Sequence, residues 1–129
     1  MSTPVRQHVM IPGLPRGGAY ADAVRHNDLV FLSGLVGVDG ELRLAGEDAA
    51  AQTHQIMQSL KKVLEHFGAS FSDVLKITTY LTDINDRAAV AETRKAYFVD
   101  ALPAATLVAV TALALPDLKV EIDAVVAMP

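Results

Sequence analysis

Two hydrophobic periods alternate along this chain, and their order restricts the fold more than any other feature. Residues 74–81 change character at every second position. Leu75, Ile77, Thr79 and Leu81 share one side, and Lys76, Thr78 and Tyr80 share the other. Residues 119–127 repeat the pattern, with Val120, Ile122, Ala124 and Val126 opposite Lys119, Glu121 and Asp123. Residues 48–67 run on a different period. Ile56, Leu60, Val63, Leu64 and Phe67 recur at helical spacing beside Met57, while Gln58, Lys61, Lys62 and Glu65 fall opposite. Gly68 ends that helix.

The remaining segments fill in around these three. The stretch 11–18 carries Pro12, Gly13, Pro15, Gly17 and Gly18 and reads as a loop. Gly17-Gly18 lacks the Gly-Lys-Ser/Thr ending of a phosphate loop, so a turn is expected there. Residues 19–26 and 29–36 are expected strands joined by a turn at Asn27-Asp28. The nearly continuous apolar run Leu29-Val30-Phe31-Leu32 suggests burial on both faces. Asp39-Gly40 signals another turn. Asn85-Asp86 is expected to cap a second helix over residues 87–101, with Val90, Tyr97, Phe98 and Ala101 inward and Pro103 as its stop. A strand over 106–113 and a turn at Leu115-Pro116-Asp117 lead to the last strand.

Each helix lies between strands, so each can cross one face of a common sheet. The expected architecture is α+β: one mixed sheet with two helices on a single face, in a single domain spanning residues 1–129. The opposite sheet face, with small residues such as Ala109 or Val110, is left to pack against copies of the same chain.

Composition narrows the function classes. Of the 129 residues 51% are hydrophobic, which is a globular composition and not a disordered one. The net charge is −4 and no basic cluster occurs, which argues against a nucleic-acid backbone as partner. There is no cysteine, so disulfides, thiolate metal sites and thiol catalysis are excluded. No apolar run is long enough to span a bilayer, and residues 1–6 lack the apolar core of a signal peptide. A cytoplasmic protein with no membrane partner is expected. His8, His26, His54 and His66 offer no ligand pair at a metal spacing on one element. Surface positions are expected for three of them, while His8, on the first strand, can approach a cleft.

Gly18-Ala19-Tyr20, Leu32-Ser33-Gly34, the run from Asp73 to Asp83, Pro103-Ala104 and Val120-Glu121-Ile122-Asp123-Ala124 follow one another in a specific order. In that order they resemble the Rid family of reactive intermediate deaminases, also called the YjgF family, over nearly the whole chain. The resemblance implies a chorismate-mutase-like fold, a homotrimer with clefts between subunits, and no cofactor or metal. It also implies hydrolysis of enamines and imines of small 2-amino acids. Deaminating members carry Pro-Ala-Arg-Ser/Thr, whose Arg holds the substrate carboxylate. This chain reads Pro103-Ala104-Ala105-Thr106.

The resemblance assigns roles residue by residue. From the residues alone Glu121 reads first as a solvated strand carboxylate beside Lys119; the resemblance makes it the match to the family acid. Tyr20 matches a cleft-lining tyrosine or packs at an interface. Ser33 is a positioning donor or a structural hydroxyl. Thr106 can still donate one hydrogen bond beside Ala105, which itself has neither charge nor donor. Arg16, in the glycine loop, is the candidate replacement cation, with a solvated loop cation as the alternative. Arg94 is expected on the solvated face of the second helix. Lys76 either reaches a cleft or covers the sheet.

Three functions compete. The first is an enamine/imine deaminase-like hydrolase whose substrate range is altered by Ala105. The second is a non-catalytic trimeric module that binds a small ligand or a partner. RNA cleavage, a label some family members carry, fits the negative charge least.

Overall fold

The computed structural model describes residues 3–16 and 18–129. Met1, Ser2 and Gly17 lie outside the described residues, and with Gly17 one residue of the expected Gly17-Gly18 turn. In chain order the elements are β1 (Arg6–Val9), β2 (Ala23–His26), β3 (Leu29–Leu32), β4 (Leu35–Val36), α1 (Ala49–His66), β5 (Val74–Leu81), α2 (Arg87–Lys95), β6 (Ala104–Ala109) and β7 (Val120–Ala127). One sheet runs β1-β2-β3-β7-β5-β6, and β4 also pairs with β7. Every pairing is antiparallel except β5 with β6, which α2 connects as a crossover. The expected α+β plan, a mixed sheet with two helices on one face, is what forms.

Alternation builds the core. Val120, Ile122, Ala124 and Val126 of β7 are buried, as are Ile77 and Leu81 of β5 and Val30 of β3. They meet Ile56, Met57, Leu60, Val63 and Leu64 of α1 and Val90 of α2 in one cluster. Asp48 caps α1 by accepting from the Ala51 N–H at 2.7 Å. Gly68, at φ +69°, follows the helix in the left-handed region that glycine adopts without strain. Fully buried Gln52 ties α1 to the chain entering β7. Its amide donates to the carbonyls of Gly46 and Asp117, and its Oε1 accepts from the Lys119 N–H at 2.8 Å. A buried amide is stable only when satisfied in this way.

Several expected boundaries are corrected. Residues 19–26 hold a strand only from Ala23. Before it the chain bends, and the Asp22 carboxylate turns inward to accept from the Ile11 N–H. The expected strand 29–36 breaks at Ser33-Gly34. Leu29 and Phe31 are exposed in the protomer, so β3 is buried on one face and not two. A bulge opposite β7 between Val74 and Lys76 turns Leu75 outward and gives its core place to Val74. Helix α2 stops at Lys95, six residues earlier than expected. There Tyr97 and Phe98 leave the helix to stack against Phe71, with ring centroids 5.4 and 5.3 Å away. Ala101 is exposed as a result. The Asp83 side chain, not Asn85 or Asp86, caps the turn that leads into α2. β6 starts at Ala104, two residues early, because its pairing with Lys76 of β5 begins there.

The weight of the packed helix can be measured directly. Leu60 is 0% exposed between α1 and the sheet. Leu60→Ala is expected to lower unfolding free energy by about 2–5 kcal/mol, read as a lower midpoint with unchanged slope in urea denaturation.

Candidate functional site

β7 positions Glu121 by sheet register. It pairs with Tyr80 of β5 and Val36 of β4, so its side chain leaves the core row and points to the open face. The break at Ser33-Gly34 brings the backbone of Gly34 directly against it. A β-carbon at Gly34 would lie 2.5 Å from Glu121 Oε2, so any larger residue here would force the carboxylate to move. Burial raises the Glu121 carboxyl above its ordinary value, and the neighbouring Asp123 charge adds to the rise. Asp123 in turn accepts from the Tyr80 hydroxyl at 3.1 Å, which raises the phenol as well.

A small cleft next to this carboxylate is lined by Tyr20, Asp22, Ser33 and Gly34, with Leu14, Pro15, Leu35, Val36 and Ser59. Tyr20 is exposed and its ring lies over Gly18. Ser33 donates its hydroxyl to the Ala21 carbonyl at 2.6 Å, leaving the oxygen free to accept. Arg16 is exposed, but its guanidinium is engaged. Its guanidinium pairs with nearly buried Asp22 and donates to the Ile11 carbonyl at 2.6 Å. That charge is neutralised within the loop.

Ala105 and Thr106 stand elsewhere. Ala105 pairs with buried Ile77 and therefore looks toward the helices. Thr106 pairs with Thr78, looks toward the open face, and accepts from Lys76 Nζ at 2.6 Å. Within one protomer the sheet separates Ala105 from Glu121. Gly34 lines the cleft with Tyr20 and Ser33 and also meets Glu121, which is not itself one of the cleft's lining residues; Ala105 stands apart.

Ala105 opens onto a second cavity of about 240 Å³, lined by Ile77, Ala91, Phe98, Leu102 and Pro103 together with Arg94 and Lys95. The expectation for Arg94 is corrected here: it does not lie on a solvated helix face. Its guanidinium reaches inward to donate to buried Thr79 Oγ1 at 3.2 Å, and desolvation lowers its pKa. The sequence did hold a signal for this: Arg94 is four residues after buried Val90 and three before Tyr97, on the inward stripe of the helix and not opposite it. The histidines, by contrast, sit at or near the surface. His8 is on β1 as expected, and His54 contacts the Tyr97 hydroxyl through Nδ1.

With this geometry in view, comparison with known proteins is informative. The family model described as Endoribonuclease L-PSP matches residues 13–128. A RutC family protein of Pyrococcus abyssi is 34% identical over 109 residues, covering 84% of this chain and 85% of that one. A protein of Salmonella typhimurium named 2-iminobutanoate/2-iminopropanoate deaminase is 33% identical over 111 residues, covering 84% and 86%. The crystal structure of RidA from the Antarctic bacterium Psychrobacter superposes with a TM-score of 0.88 at 33% identity, covering 95% of this chain and 99% of that one. The chain belongs to the Rid/YjgF family, and its fold is the chorismate-mutase-like fold of that family. No helix among the described residues is long and apolar enough to cross a membrane.

Two predictions follow from the carboxylate. The native state favours protonated Glu121, so it binds more protons than the unfolded chain between the ordinary value near 4.5 and the raised one. Stability therefore falls as pH rises through that window. Glu121→Gln is expected to raise the melting temperature above the window and to leave it unchanged below it, in thermal melts across pH 4 to 8. Gly34→Ala is expected to displace the carboxylate, seen as a shifted Glu121 titration by NMR in a protein that still folds.

Proposed function

We propose that this protein is an enamine/imine deaminase of the Rid type, acting on small 2-imino acids with a range altered at Ala105. The observation that carries this is Glu121, held with a raised carboxyl against Gly34, which also lines the cleft of Tyr20 and Ser33. Hydrolysis of an imine adds one water to the C=N carbon, moves protons to nitrogen, and breaks the C–N bond to give a 2-oxo acid and ammonia. A carboxylate with a raised pKa suits both halves, taking a proton from water and returning it to the leaving nitrogen. Tyr20 supplies a wall and a hydroxyl, and the Ser33 oxygen accepts from the substrate nitrogen. Thr106 offers a further polar contact on the open face.

The site is completed by a second copy of the chain, in a homotrimer with clefts between subunits. Two observations support this. Glu121 and Ala105 are on opposite faces of one sheet, so no single protomer presents both to one small molecule. The open face also exposes Leu29, Phe31 and Val108, an apolar surface that asks for cover. The relatives named as 2-iminobutanoate/2-iminopropanoate deaminases support the reaction class.

Ala105 favours one competitor, a trimeric binding module without turnover. Ammonia release from imines generated in place by an amino acid oxidase separates the two. The deaminase is expected to release ammonia faster than spontaneous hydrolysis, and Glu121→Ala to lose about 10²–10⁴ of that rate. Unchanged turnover in Glu121→Ala ends this assignment of the acid. Absence of turnover on every imine, with a ligand-dependent rise in melting temperature, favours the binding module.

A further inference from the structure

Arg94 is an unusual cation in this molecule. It is half-buried without a carboxylate partner: among the described residues, no acid forms a salt bridge with it. Its one side-chain hydrogen bond, to Thr79 Oγ1, occupies one of five N–H donors. Arginines placed where water is scarce normally have an anionic partner, because desolvating a guanidinium is costly. Arg16 and Arg43, although more exposed, do have one. Arg16 pairs with Asp22, and Arg43 pairs with Asp39 and Glu41. Lys95, the other cation at the cavity, is exposed and pairs with Glu92 at 3.3 Å.

Apart from Lys95 at its edge, the cavity that Arg94 lines is apolar, with Ile77, Ala91, Phe98, Leu102 and Pro103 as its walls and no acid among them. Ala105 is on the same wall, where the family motif offers its guanidinium. A cation has been lost from β6 and another enters the same space from α2.

We propose that Arg94 is the anion anchor of this site and holds the carboxylate of 2-imino acids that carry a branched or aromatic apolar side chain. The inference rests on the deaminase reading above and names its substrate class. The alanine methyl leaves volume that an arginine side chain would fill. About 240 Å³ is room for roughly eight water-sized groups at ~30 Å³ each. An apolar side chain fills the walls around Phe98 and Leu102, while the guanidinium fork meets the carboxylate with two parallel N–H donors. Thr79 steadies the fork from below, and the position of Arg94 in the last turn of α2 favours a cation there.

Two measurements test this together. The first is kcat/KM for ammonia release with imines made in place from leucine, phenylalanine and alanine. It compares the unmodified protein with Arg94→Met, Arg94→Lys and the double variant Arg94→Met/Ala105→Arg. The second is calorimetric binding of 4-methyl-2-oxopentanoate and of its uncharged amide. Arg94→Met is expected to lower kcat/KM by about ten- to several hundred-fold, mainly through KM, as loss of a charged hydrogen bond would. Arg94→Lys is expected to retain an intermediate value. The double variant is expected to recover turnover of the small alanine-derived imine, because the cation returns to β6. The unmodified protein binds the oxo acid and not the amide, and Arg94→Met binds neither.

Turnover that is indifferent to Arg94 overturns the anchor and leaves the deaminase reading standing. No turnover on any imine, with carboxylate binding lost in Arg94→Met, does the reverse. Equal binding of acid and amide overturns the anchor whatever the turnover. Should Arg94→Met fail to fold, the Lys variant decides: it keeps the charge and loses the fork, so affinity equal to the unmodified protein counts against the proposal.

Discussion

The pairing of β7 between β5 on one side and β3 and β4 on the other is the constraint on which the rest depends. Its eight residues carry the strictest alternation in the chain, and the register with β5 fixes which row faces the helices. Val120, Ile122, Ala124 and Val126 then lie under α1 and α2, where hydrophobic burial holds the two layers together. A slip of one residue would exchange this row for Glu121, Asp123 and Val125 and place two carboxylates in the core. The cost of burying charge makes that register inaccessible. One packing decision therefore fixes both the core and the position of Glu121.

The same alternation divides the chemistry between two faces. Glu121 shares the open face with Tyr80, Asp123, Lys76 and Thr106, while Ala105 shares the helix face with Ile77 and Arg94. Neighbouring positions such as Ala105 and Thr106 cannot act on one side of one sheet, however close they are in sequence. This division is the reason a second copy enters the proposed reaction. It also explains why an arginine on α2, and not one in the N-terminal loop, shares a cavity with Ala105. Arg16 stands at the Tyr20 cleft, where Asp22 is already its partner.

The fold was legible wherever a period ran long enough to declare itself. Residues 74–81 became β5 with the expected bounds, and 48–67 became α1 with Asp48 as its cap. The misses fall where side chains compete with the local pattern. Tyr97 and Phe98 continue the helical spacing, yet contact with Phe71 draws them out of α2. Leu75 fits the inward row of β5, yet a bulge hands its place to Val74. Ser33 and Gly34 sit within an apolar run that reads as one strand, yet the run breaks where Gly34 meets Glu121. Each depends on a residue distant in sequence, so no window along the chain contains it.

For the site, the sequence by itself determined the inventory: a glutamate on the outward row of β7, a Ser33-Gly34 pair, an uncharged Ala105 beside Thr106, and no cysteine. Covalent order and side-chain period suffice for these. Only the tertiary structure decided which charges meet partners. Pairing of Arg16 with Asp22 depends on how the glycine loop folds back on itself. The inward turn of Arg94 onto Thr79 depends on how α2 crosses β5. Electrostatic partnership is a matter of a few ångströms and of excluded water, and sequence spacing specifies neither.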